Sequence, residues 1–401
     1  MTATLSTYTG FRPAPTKDGD DHFVPLAAKL GAQFAPLAAQ HDRQGTFVEE
    51  NYAALRETGY TRLIVPEELG GLGASLRQTC YAQAELAQYC GSTALAVNMH
   101  LYLVTTNVYR WKHGAPGADG LLKRVANDGL ILMTSGGSDG LWPSATAIKV
   151  EGGYRVTGRK AFCSQAPIAN VLTTLAAYDD PNEGRVVLAM GIPRTSPGFQ
   201  MVETWDTLGM RGTASNDVQL EDVFVSDAQI AARRPWGAWD AVFYNAVIHS
   251  GVLMASVYYG IAAGARNEAV RILTRQTARS GNPAREDPSI ARLVGLMDYK
   301  LRVSWWSLMG GLSELGDDFD YSLNEDMTNA GLLAKRCVVT EAIEIVNLAM
   351  EAVGGSSFFK RSPIERAYRD VRGGTYHPLP PEKTLTFAGR KALGLPVDEI
   401  W

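Results

Sequence analysis

LGMRGTASNDVQLEDVFV, Leu208 to Val225, is the stretch that decides how this chain is read. It opens as a Gly-Met-Arg-Gly loop and then enters a strand. Val218, Leu220, Val223 and Val225 alternate with Gln219 and the Glu221-Asp222 pair, the period of a half-buried β-strand. Upstream, ATAIKVEGGYRVTGRKAFCS (Ala145 to Ser164) reads as two strands joined at Glu151-Gly152-Gly153. Val171 to Tyr178 and Arg185 to Ile192 repeat the pattern. Gly and Pro turns between such runs predict a meandering, mostly antiparallel sheet.

On both sides of this sheet the apolar period changes to that of a helix. Leu26 to Leu37 and Val48 to Leu55 read as surface helices. The Gly-rich loop PEELGGLGAS, Pro66 to Ser75, precedes a long helical stretch from about Leu76 to Tyr109, broken near Cys90-Gly91-Ser92. After the sheet, Ala241 to Gln276 reads as one long helix or a kinked pair, followed by helices at Ile290 to Leu315 and Asn329 to Ala352. Gly354-Gly355 suits the end of the last. The expected fold is α+β: a flexible arm at 1–22, a helical domain at 23–130, a β-domain at 131–234 and a helical bundle at 235–401.

The chain has 401 residues, 46% of them hydrophobic and 20% charged, so a large core can be buried and disorder is excluded. Its 38 basic and 42 acidic residues leave no field to hold nucleic acid. Cys80, Cys90, Cys163 and Cys337 form no CxxC pair, so no metal site is expected, and free thiols suit a reducing, cytoplasmic setting. The segment MTATLSTYTGFRPAPTKDGDD lacks the build of a signal peptide. Ala241 to Ala265 carries no Asp, Glu, Lys or Arg and is long enough to span a bilayer. Asn245, His249 and Ser256 within it favour a buried core helix instead.

No GxGxxG, GxxxxGK[ST] or GxSxG pattern occurs in a supporting context. The Gly-rich segments that remain fall in a fixed order. PEELGGLGAS is followed by MTSGGSDG (Met133 to Gly140), GRKAFCSQAPIAN, LGMRGTASNDVQLEDVFV, AVGGSSF and IERAYRD. In that order and spacing the chain resembles the acyl-CoA dehydrogenase superfamily of flavoproteins, over nearly its whole length. The resemblance implies an N-terminal helical domain, a central antiparallel β-domain and a C-terminal four-helix bundle. It implies FAD (or, alternatively, FMN) and a homotetramer or homodimer. Thr134 and Ser138 would then lie along the flavin and thioester site, Phe162 against the isoalloxazine, and Ser164 near flavin N5. Arg275 or Arg279 would hold a pyrophosphate shared with a neighbouring subunit, and Gly354 and Gly355 would admit the adenosine half.

The family reaction takes a proton from the α-carbon of an acyl thioester and passes a β-hydride to the flavin, which requires a base. One usual Glu position, eight residues after Asp370, is Pro378 here; the other, in the long uncharged helix, reads His249-Ser250-Gly251. His377, one residue from the first position, is a candidate replacement, since imidazole titrates near neutrality. A loop histidine bonded in a Pro-rich turn is the plainer reading. Glu382 lies a few residues further on. His100, in NMHLYL, is the second candidate, against a satisfied core histidine. Trp111, Trp142 and Trp205 are candidates to crowd a substrate pocket.

Three functions stay open at this point. The first is dehydrogenation of a thioester on coenzyme A or a carrier protein, with an electron-transfer flavoprotein as acceptor. The second is a monooxygenase using reduced flavin, from a reductase partner, and oxygen. The third is a flavin-binding protein with little turnover. None requires nucleic acid or a membrane span.

Overall fold

A computed structural model of the chain describes residues 11–277, 281–316 and 318–399. The first helical region comprises α1 (Val24–Gln44), α2 (Glu49–Glu57), α3 (Leu76–Tyr89), α4 (Gly91–Lys112) and α5 (Ala118–Asn127). A capping box starts α3: Ser75 Oγ accepts from the Gln78 N–H while Gln78 Oε1 accepts from the Ser75 N–H. The break expected near Cys90 is there, because Cys90 adopts an extended backbone between α3 and α4.

The sheet contains β1 (Leu132–Thr134), β2 (Ala145–Val150), β3 (Gly153–Cys163), β4 (Val171–Asp180), β5 (Gly184–Pro193), β6 (Phe199–Val202), β7 (Asn216–Ser226) and β8 (Ile230–Pro235). Its order is β6-β7-β3-β2-β4-β5-β8, with β1 also paired to β4. It is not a simple meander. β4 runs parallel to both β1 and β2, because the chain leaves β3, crosses through 164–170 and returns on the far edge of β2. β7 is one strand rather than two pieces. Asp222 takes a left-handed φ of 52°, which Asp tolerates, so Glu221 and Asp222 both face solvent before the alternation resumes.

The C-terminal region contains α6 (Ala241–Leu273), α7 (Pro288–Leu315), α8 (Glu325–Val353), α9 (Pro363–Asp370) and α10 (Pro381–Ala392). α6 is one unbroken helix, capped by Asp240 and packed on α3, α4, α7 and α8. Among the described residues it is the one helix long and apolar enough to cross a membrane, and 89% of its apolar window is buried inside the protein. Gly260 and Gly264 set its approach to α3. A Cβ there would lie 2.2 Å from the Ala84 carbonyl oxygen and 2.6 Å from that of Gln88.

The expectation of a loose arm is corrected for residues 11–22; residues 1–10 lie outside the described residues. Phe11 donates its N–H to Asn267 Oδ1 and is buried, and Arg12 forms an ion pair with Glu85 on α3. Tyr81 donates to the Ala14 carbonyl. An apolar anchor and a buried carboxylate partner tie the segment to the chain's own core.

Candidate functional site

The site is built where three loops meet at one end of the sheet. β3 carries Phe162 at its next-to-last position, with a side chain 58% exposed and a φ of 58°. A large apolar side chain in the left-handed region is strained, and strain is retained where the surrounding structure fixes it. Gln165, Met210 and Ala214, nearby in two loops, share a positive φ. Buried bonds hold them: Tyr52 donates to Gln165 Oε1 at 2.5 Å, and the Met210 N–H donates to Asp370 Oδ1 at 2.5 Å. The Trp205 ring meets Phe162 edge-on at 5.9 Å.

The loop after β1 lies beside Phe162, since the Gly136 N–H donates to the Ala161 carbonyl at 2.7 Å. On its other side it meets the loop after α9, where a Cβ on Gly137 would fall 2.0 Å from Pro378 Cγ. Lys160 fixes this loop from below. Its Nζ lies 2.5 Å from Asp139 Oδ2 and donates to the Leu175 carbonyl, and Asp139 also accepts from Ser135 and Ser144. Burial draws the Lys160 ammonium below its ordinary range, while Asp139 pushes it back up.

The end of β1 at Thr134, the end of β3 at Phe162 and the loop of His377 are therefore joined through the loop after β1. Thr134 bonds the buried Tyr102, whose pKa burial pushes up to about 12. Ser138 lies in the turn Gly137–Asp139. Ser164 is buried and bonds Ser215 Oγ at 2.8 Å, continuing to Thr213. An exposed ring on a rigid strand end, flanked by hydroxyls and by glycines that allow close backbone approach, fits the planar ring system of a flavin.

His377 is half-buried, and its Nε2 lies 2.8 Å from the hydroxyl of Tyr258 on α6. Burial and the nearby Lys335 hold its pKa down at about 3, so the ring is neutral at physiological pH. Lys335, on α8, donates to the carbonyls of His377, Pro378 and Leu379 at 2.7, 3.0 and 2.9 Å. Lys335 and Tyr258 did not emerge from the sequence. Lys335 had a signal, because it falls three residues from both Leu332 and Val338 on the buried stripe of its helix.

His100 is corrected from a proton-transfer candidate to a structural histidine. Its Nδ1 accepts from the Leu132 N–H at 3.1 Å, so its Nε2 carries the proton donated to the Thr61 carbonyl at 2.7 Å. Both nitrogens are consumed in joining the 60–62 turn to β1. His249, at the second family base position, is also fully engaged. Asn245 Nδ2 donates to the Thr106 carbonyl, which turns Oδ1 toward His249 Nδ1, and Nε2 faces the Tyr321 hydroxyl at 2.6 Å. Glu382 is displaced from the site: its side chain is 86% exposed and faces Arg336 at 3.9 Å.

Arg275 is exposed just beyond the end of α6, and Gly354 and Gly355 are exposed beyond the end of α8. Among the described residues, no bond joins them to Thr134, Phe162 or His377 within one chain. Arg279 lies outside the described residues. Of the three tryptophans, Trp205 lies at the site, Trp142 packs with Leu141 and Phe243, and Trp111 packs on the main helical core. No group of His, Cys, Asp and Glu able to hold a metal is found among the described residues.

Three family models match the chain in order. They are the acyl-CoA dehydrogenase N-terminal domain at 27–114, the middle domain at 134–223 and the C-terminal domain at 252–379. The chain belongs to the acyl-CoA dehydrogenase family. It is a flavin-dependent enzyme. Among family members, L-evernosamine nitrososynthase of Micromonospora is 30% identical, over 96% of this chain and 93% of that protein. The putative acyl-CoA dehydrogenase YdbM of Bacillus subtilis is 28% identical, over 90% and 94%. The solved structure of KijD3 in complex with FMN and dTDP-3-amino-2,3,6-trideoxy-4-keto-3-methyl-D-glucose superposes with a TM-score of 0.86 at 27% identity, covering 96% of each chain.

Two measurements follow from the site's geometry. Phe162→Asn is expected to stabilise the chain by ~0.5–1 kcal/mol, because Asn accepts a left-handed φ and the exposed ring buries little. It should weaken flavin binding at least ~10-fold, since the lost ring is a stacking surface. Chemical denaturation and flavin titration test this together, and a destabilised variant with unchanged affinity would contradict it.

The second concerns acid. Burial lowers His100 to about 4, and His249 and His377 to about 3. Below their unfolded pKa of ~6.5 the unfolded chain binds more protons, so stability falls as pH falls, by ~1.4 kcal/mol per unit for each ring. Asp370, raised by burial to about 6, acts in the opposite direction as one group against three. The net expectation is a loss of ~5 kcal/mol between pH 6.5 and 4.5. Denaturation midpoints at both pH values check it, and equal midpoints would refute it.

Proposed function

We propose that the protein is a flavin-dependent monooxygenase that inserts oxygen using a reduced flavin. The observation that carries this reading is the missing carboxylate. Dehydrogenation of a thioester needs a base within reach of the α-carbon. Here one base position is Pro378, the other is a histidine with both nitrogens engaged, and Glu382 points away. Flavin bound in its reduced state supplies the electrons that activate dioxygen.

The chain's own residues have separable tasks. Phe162, with Trp205 edge-on against it, would present apolar ring surface to the flavin. Thr134 and Ser164 would offer hydroxyls near it. His377 stays neutral, and with the Tyr258 hydroxyl donating to Nε2 its Nδ1–H is left as a hydrogen-bond donor that would face the reacting oxygen without being given up. Tyr258 keeps its own proton, because burial raises its pKa well above the ordinary value.

FMN is the first flavin to test, since KijD3 was solved with FMN; FAD is the alternative. A reductase partner would supply the reduced form. A homo-oligomer is part of the same proposal, because the exposed Arg275, Gly354 and Gly355 would reach a flavin only from a neighbouring copy. The similarity to amino-sugar nitrososynthases makes a sugar-borne primary amine the first substrate class to try. Reduced flavin, ¹⁸O-labelled dioxygen and a nucleotide-linked amino sugar should give a product carrying the label.

Thioester dehydrogenation is the second reading, favoured by the similarity to YdbM over 90% of the chain. It needs His377 to act as the base, and it predicts flavin reduction by an acyl thioester without oxygen.

A further inference from the structure

We infer that Lys335 is a positioning residue of this site: its ammonium gathers three successive carbonyls of the His377–Leu379 segment and so aims the His377 imidazole. The role of the aimed ring rests on the monooxygenase reading; the clamp itself does not.

Lys335 is 2% exposed. Burying an ammonium is costly, and a Met of similar length would fill the space without that cost. What Met lacks is three donors. Lys335 uses Nζ on the carbonyls of His377, Pro378 and Leu379, all on one strand of loop. The next residue inward from that clamp, Tyr258, holds the ring at Nε2. Backbone and ring are thus fixed from two helices, α8 and α6. From α6 the Lys335 stem also meets the space over Gly251, 4.0 Å from where a Cβ would be. The neighbouring Arg336 turns away, donating to the Pro381 carbonyl.

Among the described residues, the titratable groups around this clamp are His377 in the loop, Tyr258 on α6, Lys335 itself on α8 and Asp370 at the end of α9, whose charge acts on Tyr258. Burial brings the Lys335 ammonium down to about 7. The protonated amine has three N–H donors for three carbonyls, and the neutral amine has two. Raising the pH through neutrality therefore frees one carbonyl and loosens the loop, while the charged form keeps His377 neutral. Lys335 touches neither substrate nor flavin in this account; it acts through His377.

Hydrogen exchange of the peptide spanning 373–380, in the chain without added flavin, tests the clamp independently of turnover. Lys335→Met is expected to speed exchange there at least ~10-fold and to leave the sheet unchanged. Lys335→Gln, which keeps two N–H donors, should fall between Met and wild type. In the wild type, exchange corrected for its intrinsic pH dependence should rise between pH 6 and 9. Where oxygenation is measured, Lys335→Met should lower kcat ~30-fold, shift KM less than ~3-fold and abolish the alkaline limb of the kcat profile.

Wild-type exchange in the folded Met or Gln variant would overturn the proposal. If no protein oxygenates any substrate while the exchange differences hold, the functional reading fails and the clamp stands. If the Met variant does not fold, the Gln variant decides the matter.

Discussion

Replacing His377 with Ala is expected to cut oxygenation ~100-fold or more, the range seen when one positioned hydrogen-bond donor to a developing charge is removed. The flavin should still bind, because the ring's hydrogen bond goes to Tyr258 and its backbone to Lys335. Reduced flavin would still consume oxygen, so uncoupled turnover, with hydrogen peroxide replacing product, is the expected signature. A His377→Gln variant keeps an N–H donor of similar reach, and it should fall between the Ala variant and the wild type. Product formed at the wild-type rate by the Ala variant would remove His377 from the chemistry. It would leave Tyr258 as a group that merely fills the core.

The second large effect is on stability. Lys160→Met removes an ammonium that is fully buried on Asp139 and the Leu175 carbonyl. The carboxylate left behind is still buried. Breaking such a pair by removing one partner costs about 3–5 kcal/mol, because the remaining charge is uncompensated. The double variant Lys160→Met with Asp139→Leu should recover much of that loss. It should not recover flavin binding, because Asp139 also receives Ser135 and Ser144 and so shapes the loop that meets Phe162. Denaturation curves and flavin titrations of the single and double variants separate the two effects. A single variant losing less than ~1 kcal/mol would show that the pair is not a structural fixture.

Much of the fold was readable because two periods of hydrophobicity alternate cleanly along the chain. The break at Cys90 and the long uncharged helix are legible in the sequence. The parallel pairing of β4 with β1 and β2 was not, since strand direction depends on a crossover that periodicity does not encode. Nor was the single strand β7, whose bulge rests on one left-handed Asp. The ordered 11–22 segment was hidden for a different reason. A short run of Pro, Thr and Asp looks solvated until the partners of Phe11 and Arg12 are known.

The site divides in the same way. The segments bearing Thr134, Phe162 and His377 stand out in the sequence, and the structure joins them through the loop after β1. For His100 the sequence leaves a reactive ring and a satisfied core histidine both open, because an imidazole on an apolar helix has no signature that separates them, and the bonds at both nitrogens decide for the second. In sequence, Lys335 is one charge among several on a long helix. Its placement on the buried stripe became meaningful only with the three carbonyls in view.

The central claim is that this member of the family does not take its electrons from an acyl thioester. The direct measurement is anaerobic. Purified protein carrying oxidised flavin is mixed with a panel of acyl-CoA esters, from short straight chains to branched and aryl groups, and the flavin absorbance near 450 nm is followed. The account predicts no bleaching with any ester, and full bleaching when a reductase and a nicotinamide donor are added. Rapid bleaching by an acyl-CoA, lost in His377→Ala, would contradict it and establish a thioester dehydrogenase with histidine as its base.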